Sequence, residues 1–214
     1  MGIWTDISLP ITAHSIPWSG LAAPRISLLG DIRAGSAVNV GQLDCCLHTG
    51  THADAPWHID QGGLTIDRMD PDLYLGPARV VATADPERIS RLELADLLRE
   101  VGRGDPTLER LLIATPTPFD GRSFPVRIPA LDPDAAEWLI WLGVRLLGVN
   151  VPSIDPLESR TMDSHRLLFA AGAGVLENLA LEGVAAARAY WLAAAPIKVA
   201  GADAAPVRAL LRPL

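Results

Sequence analysis

The chain has 214 residues, of which 49% are hydrophobic and 20% charged, and its formal net charge is −7. A chain of this length buries most of its apolar surface without a staple, and its acidic balance, lacking a basic stripe, excludes a nucleic-acid partner. No apolar run reaches the ~20 residues of a membrane span, so no membrane partner is expected. Asp6 and Pro10 interrupt the N-terminus too early for a signal-peptide core. Cys45 and Cys46 are adjacent, a poor disulfide framework, which points to a reduced, cytoplasmic protein.

Before residue 78 the helical period is absent, and residues 36–48 read as extended, with a slip near Gly41. Ala78–Ala84 is a short β-branched run that predicts a buried strand. Ser90 to Val101 has helical spacing, a capping box from Ser90 and Glu93, and Gly102 as its stop. Leu111–Ala114 predicts a second strand. After a Pro/Gly-rich loop, a helix is expected between Asp132-Pro133 and Gly143, followed by a strand at Val144–Val149. Strand–helix–strand–helix–strand implies parallel pairing with right-handed crossovers. Val175–Leu179 and Ala189–Ala195 also look extended. The expected fold is α/β with a mixed sheet, in one domain over residues 1–214.

Three of the five histidines fall within eleven residues, His48-Thr-Gly-Thr-His52-Ala-Asp54-Ala-Pro-Trp-His58. Three imidazoles and a carboxylate at this density form a metal-site composition. Gly50, Thr49, Thr51 and Pro56 oppose a helix. In an extended chain, side chains two apart share a face, so His52 and Asp54 point together. Gly50 lets the chain bend so that His48 joins them. His58 lies beyond Pro56, which holds Ala55 extended, so it is offset from an ion and free to move protons. Hydrogen-bonded core histidines are the ordinary alternative. Distal donors are expected, and His165 has the most plausible context. Glu177 is a carboxylate inside an apolar strand; either it faces solvent or it needs a partner such as a metal.

The pattern at 48–58 resembles the signature of the metal-dependent cyclase-like hydrolases, a family that includes the bacterial kynurenine formamidases (arylformamidases). Trp4-Thr-Asp-Ile-Ser8 resembles the family's opening strand, and Pro17-Trp18-Ser19-Gly20 its Trp-x-Gly turn. Pro152-Ser-Ile-Asp-Pro156, Glu158-Ser159 and Thr161-Met-Asp-Ser-His165 resemble its second block, and Pro206-Val-Arg208 its closing block.

The resemblance implies a swivelling β/β/α fold and two divalent metal ions per chain, usually zinc, with manganese as the alternative. His48, His52, Asp54 and Glu177 would hold one ion. Asp54, His165 and Glu177 would hold the other, with both carboxylates bridging. His58 would be the catalytic acid/base, and Trp18 would line the pocket for a small aromatic amide. A homodimer is implied, with hydrolysis of N-formyl-L-kynurenine to L-kynurenine and formate, a step of tryptophan catabolism. The alternatives are a hydrolase for another aryl amide or an isatin-like cyclic amide, and a non-hydrolytic biosynthetic cyclase. The chain departs from the family pattern at Leu21, at Ala114 and at Asn150-Val151, none of them a proposed ligand.

Overall fold

The computed structural model describes residues 3–214. A short strand β1 (Thr5–Asp6) precedes the hairpin of β2 (Arg25–Gly30) and β3 (Val40–Asp44), and then β4 (His52–Asp54). Next come β5 (Leu75–Ala82), β6 (Arg88–Ile89), α1 (Arg91–Leu97), β7 (Arg110–Ala114) and β8 (Ala130–Leu131). They are followed by α2 (Pro133–Leu142), β9 (Leu146–Val149), α3 (Asp163–Ala170) and β10 (Gly174–Glu177). The chain closes with β11 (Arg188–Ala193), β12 (Ala204–Pro206) and β13 (Leu210–Pro213).

Nine strands form one mixed sheet in the order β1-β13-β11-β5-β7-β9-β10-β4-β12. The expected parallel unit is present: β5 pairs with β7, and β7 with β9, both parallel, and β10 extends it beside β9. These strands are apolar at successive positions because both faces are covered. Val80, Leu112, Leu146 and Leu176 pack with Tyr74, Tyr190 and Leu192 on one face. Val81, Leu111, Leu147 and Val175 pack on the other, against Leu94, Leu139 and Leu168 of the three helices. β4 and β12 continue the sheet antiparallel at one edge, which is where the histidine-rich segment lies.

Several local expectations are refined. The first helix ends at Leu97, with Leu98 as its C-cap, rather than running to Val101 and Gly102. Ser90 accepts from the Glu93 amide as a capping box requires (3.2 Å), but the Glu93 carboxylate accepts from Ala84 N (2.6 Å) instead of returning to Ser90. α2 begins at Pro133 and stops at Gly143 as expected. Asp132, however, makes no side-chain cap bond there and pairs with Arg88 (2.5 Å). The slip expected near Gly41 is a register shift between Leu28 and Gly30 on the partner strand. α3, absent from the pattern reading, is only eight residues long.

The turn that carries His58 closes tightly. Trp57 N donates to Leu64 O (3.0 Å) and Gly63 N to Asp60 O (2.9 Å). A Cβ at Gly63 would lie 2.6 Å from the Pro56 carbonyl carbon and 2.7 Å from Trp57 N, both backbone atoms that cannot swing aside. Gly63→Ala is therefore expected to cost about 1–3 kcal/mol, read as a drop of roughly 2–4 °C in melting temperature per kcal/mol. Gly62→Ala, whose Cβ meets only the Asp60 carboxylate at 3.6 Å, should leave the melt unchanged.

Candidate metal centre

The segment 48–58 takes the extended course that its composition requires. Gly50 has φ +68°, and a side chain there would press on Leu9 O at 3.2 Å, so the bend into β4 needs glycine. Within β4, His52 and Asp54 share a face. The antiparallel ladder sets Glu177 opposite His52 and Val175 opposite Asp54, which brings Glu177 onto that same face. The carboxylate is buried at 3% exposure, so the solvent-facing alternative for Glu177 does not hold. His165 reaches the cluster from α3, and His48 from the turn before Gly50.

The donor atoms converge with a regular spacing. His52 Nε2 lies 3.4 Å from Asp54 Oδ1 and 3.4 Å from Glu177 Oε2. His165 Nε2 lies 3.4 Å from Asp54 Oδ2 and 3.3 Å from Glu177 Oε1. Each carboxylate thus turns one oxygen to each imidazole. His48 Nδ1 joins at 3.0 Å from Asp54 Oδ1. His52 Nε2, His165 Nε2 and Asp54 Oδ1 are buried and, among the described residues, have no hydrogen-bond partner. Charge-assisted N–H···O bonds are shorter, about 2.7–2.9 Å. Ligands about 2.0–2.1 Å from a tetrahedral ion stand roughly 3.3–3.4 Å from one another. The orphaned atoms and their separations therefore fit small divalent cations.

A surrounding shell fixes the imidazoles. His52 Nδ1 donates to Gly50 O (3.0 Å), which also accepts from Asn178 Nδ2 (3.0 Å). His165 Nδ1 donates to Asp155 Oδ2 (2.6 Å), and Asp155 also accepts from the amides of Ser164 and His165 at the start of α3. These bonds commit Nδ1 and leave Nε2 of both rings toward the carboxylates, the tautomer a ligand needs. Glu177 Oε1 further accepts from Ile154 N (3.1 Å). Without an ion, the carboxylates hold protons on the rings instead. Burial, the largest single influence, would depress His48 and His52, but the nearby carboxylates together outweigh it, Asp54 and Asp203 at His48 and Asp54 and Glu177 at His52, and lift the rings to about 9 and about 10. Burial would raise Asp54, yet the neighbouring imidazoles hold it well below the usual carboxylate range.

Beside this cluster is a cavity of about 260 Å³, lined by Trp18, Leu21, His58, Leu157 and Met162 among others. Both residues expected at a substrate, Trp18 and His58, are therefore at its wall. Trp18 is braced by Phe124, with ring centroids 4.9 Å apart. Met162 has φ +52°, a strained value for a non-glycine residue, where the chain enters α3. A larger cavity of about 640 Å³, lined in part by Leu64, Met69 and Phe169, contains none of the converging donors.

Two acidic residues were missed. Asp155 orients His165. Asp203, just before β12, places Oδ2 3.0 Å from His48 Nε2 and 3.4 Å from His58 Nδ1. Hydrogen bonds from His48 and then His58 hold its carboxyl well below the ordinary range. Asp155 had a signal, lying in the Ser-Ile-Asp-Pro block already singled out. Asp203 had none beyond proximity to Pro206, because only the sheet brings it to residues 145–155 positions away.

A family model described as "Putative cyclase" matches residues 5–156. The kynurenine formamidase of Bacillus cereus (strain ATCC 14579) is 38% identical over 211 residues, covering 99% of this chain and 98% of its own length. That of Geobacillus thermodenitrificans is 38% identical over 212 residues with the same coverage. Among solved structures, a potential metal-dependent hydrolase with cyclase activity superimposes with a TM-score of 0.83 at 26% identity, covering 100% of this chain and 99% of that one. Isatin hydrolase A from Labrenzia aggregata superimposes with a TM-score of 0.82 at 22% identity, covering 98% and 93%, a likeness of fold.

The raised imidazole pKa values fix a pH dependence. A group lifted in the folded state stabilises it fully below the ordinary value of 6.5 and loses that contribution as pH rises through about 9 to 10. Chelator-stripped protein is therefore expected to melt at lower temperature as pH climbs through that window, while protein loaded with zinc does not. Zinc uptake near neutral pH should release protons. Calorimetry in two buffers of different ionisation enthalpy reads the release directly, and equal heats in both would contradict it.

Proposed function

The chain belongs to the cyclase family, and from that premise we propose that it is a metal-dependent kynurenine formamidase, hydrolysing N-formyl-L-kynurenine to L-kynurenine and formate. The observation that carries this reading is the set of four 3.3–3.4 Å separations between two buried imidazoles and two buried carboxylates. His48, His52, Asp54 and Glu177 would hold one divalent ion, and Asp54, His165 and Glu177 the second. Both ions would be zinc, whose bond lengths suit the spacing, with manganese the nearest substitute. Bound there, such ions would supply Lewis acidity, polarise a carbonyl oxygen and lower the pKa of water toward neutrality.

The chain's own residues do the rest. Trp18, Leu21, Leu157 and Met162 form an apolar wall for an aromatic ring beside the donor cluster. Hydrolysis adds water oxygen to the formyl carbon and breaks its bond to the anilide nitrogen, which must leave with a proton. His58 borders both the cavity and the cluster, with its side chain 30% exposed. It would deliver that proton as general acid. The test is formate release from N-formyl-L-kynurenine by the metal-loaded protein, with isatin as comparison. Turnover of isatin alone would overturn the assignment.

A homodimer belongs to the same reading. The β2–β3 hairpin forms a sheet of its own. Ile26 pairs across to Leu43, and Leu28 to Gly41, so Ile26, Leu28 and Leu43 share a face while 50–55% exposed. A lone two-stranded hairpin is marginal in water, and a second copy of the chain would cover it. A cytoplasmic setting goes with the free thiols of Cys45 and Cys46.

Two outcomes follow. His58→Ala should keep its metal and its melting temperature but lose ~10²–10⁴-fold in turnover of formanilides. The loss should be smaller for an activated ester, whose leaving group needs little protonation; equal losses would place His58 at activation of the nucleophile instead. Ile26→Asp with Leu28→Asp removes two apolar side chains worth about 1.5–3 kcal/mol each when buried. Light scattering should then show dimer affinity weakened at least ~100-fold.

A further inference from the structure

We propose that Asp203 is a positioning residue that aims His58 and couples it to the imidazole of His48. Asp203 is well placed for this by the backbone. Its carbonyl accepts from Ala55 N (2.9 Å), and the next residue, Ala204, pairs with Asp54 across β12 and β4. Its side chain is thereby fixed at the sheet edge beside the histidine-rich strand. One oxygen, Oδ2, meets both His48 Nε2 (3.0 Å) and His58 Nδ1 (3.4 Å). The two rings lie 4.4 Å apart between centroids, tilted by 44°.

His58 needs such an anchor. It sits on a three-residue 3-10 turn, outside the sheet, and is partly exposed. Among the described residues, the hydrogen bond to Asp203 is the only one made by its ring. An imidazole turns about two side-chain bonds, and only a partner at one nitrogen fixes which face and which nitrogen it presents. With Nδ1 donating to Asp203, Nε2 is the atom left to exchange a proton with substrate. The same carboxylate takes the outer nitrogen of His48, while the other nitrogen of that ring faces Asp54. Asp203 thus stands on the far side of His48 from the buried carboxylates. It connects the ring expected to hold an ion to the ring expected to move a proton.

This inference rests on His58 being the acid of the proposed reaction, and a double-mutant cycle separates the two. Asp203→Asn, nearly isosteric, and Asp203→Ala, which spares the carbonyl bond to Ala55, are measured alone and combined with His58→Ala. Metal content and melting temperature are read beside the kinetics. Asp203→Asn should keep its metal and its fold, lower kcat for N-formyl-L-kynurenine by ~10–100-fold, and leave KM within about twofold. In the His58→Ala background it should cost less than about twofold, because the residue it positions is gone. Loss of metal in both Asp203 variants would make the residue a support of His48 or a ligand, and would overturn the proposal. Full additivity with His58→Ala, or a rise in KM at constant kcat, would overturn it as well. If His58→Ala is itself harmless, the acid assignment fails. If His58→Ala is impaired and neither Asp203 variant is, only the positioning role fails.

Discussion

Two carboxylates buried side by side set the terms for everything around them. Asp54 and Glu177 are 1% and 3% exposed, and among the described residues neither is paired with an arginine or lysine. Charge of that kind is tolerated in a core only against matching positive charge. The register between β4 and β10 decides that they meet: Glu177 stands opposite His52, and Asp54 lies two residues along the same face. A slip of one residue would turn His52 and Asp54 to the other side of the sheet. β4 is three residues long and is held in register on both edges, by β10 and by β12. The short strand is the frame of the site, and its neighbours fix its aim.

Much of this was written locally. The parallel unit was legible because buried strands leave continuous apolar runs, and α2 because Pro133 and Gly143 bracket it. His52 and Asp54 were legible as a pair through the two-residue period of a strand, and the bend that admits His48 through Gly50. Glu177 stood out as a charge within an apolar run and His165 as the most plausible distal donor, and the family resemblance then assigned both to the cluster. α3 escaped because its start is governed at a distance: Asp155 caps it and Met162 adopts φ +52° ahead of it, with no capping residue in the local pattern. Asp203 escaped for a similar reason, since its meaning comes from a ladder joining segments some 150 residues apart.

The departures from the family pattern divide into two kinds. Asn150 departs from the pattern, and it closes on Thr115 beyond the ends of β9 and β7. Thr115 N and Oγ1 donate to Asn150 Oδ1 at 2.9 and 2.8 Å, and Asn150 Nδ2 donates to Thr115 O at 3.1 Å. That neutral clasp ties two strand ends together and leaves the donor cluster untouched. Leu21 is different, because it forms part of the cavity wall beside Trp18. Its apolar side chain adds to that wall and touches none of the cluster's hydrogen bonds.

The position of β4 has a consequence for how the protein is made. Its two partners are Gly174–Glu177 and Ala204–Pro206, which leave the ribosome about 120 and 150 residues later. Until then the imidazoles and the carboxylate of residues 48–54 lack the strands that flank them in the folded sheet. Pairing over such separations is slow. The donor cluster is therefore completed only once residues 174–177 and 204–206 have been made and have added to the sheet beside β4. Loss of Ala204–Pro206 would remove β12, one of the two strands that hold β4 in register.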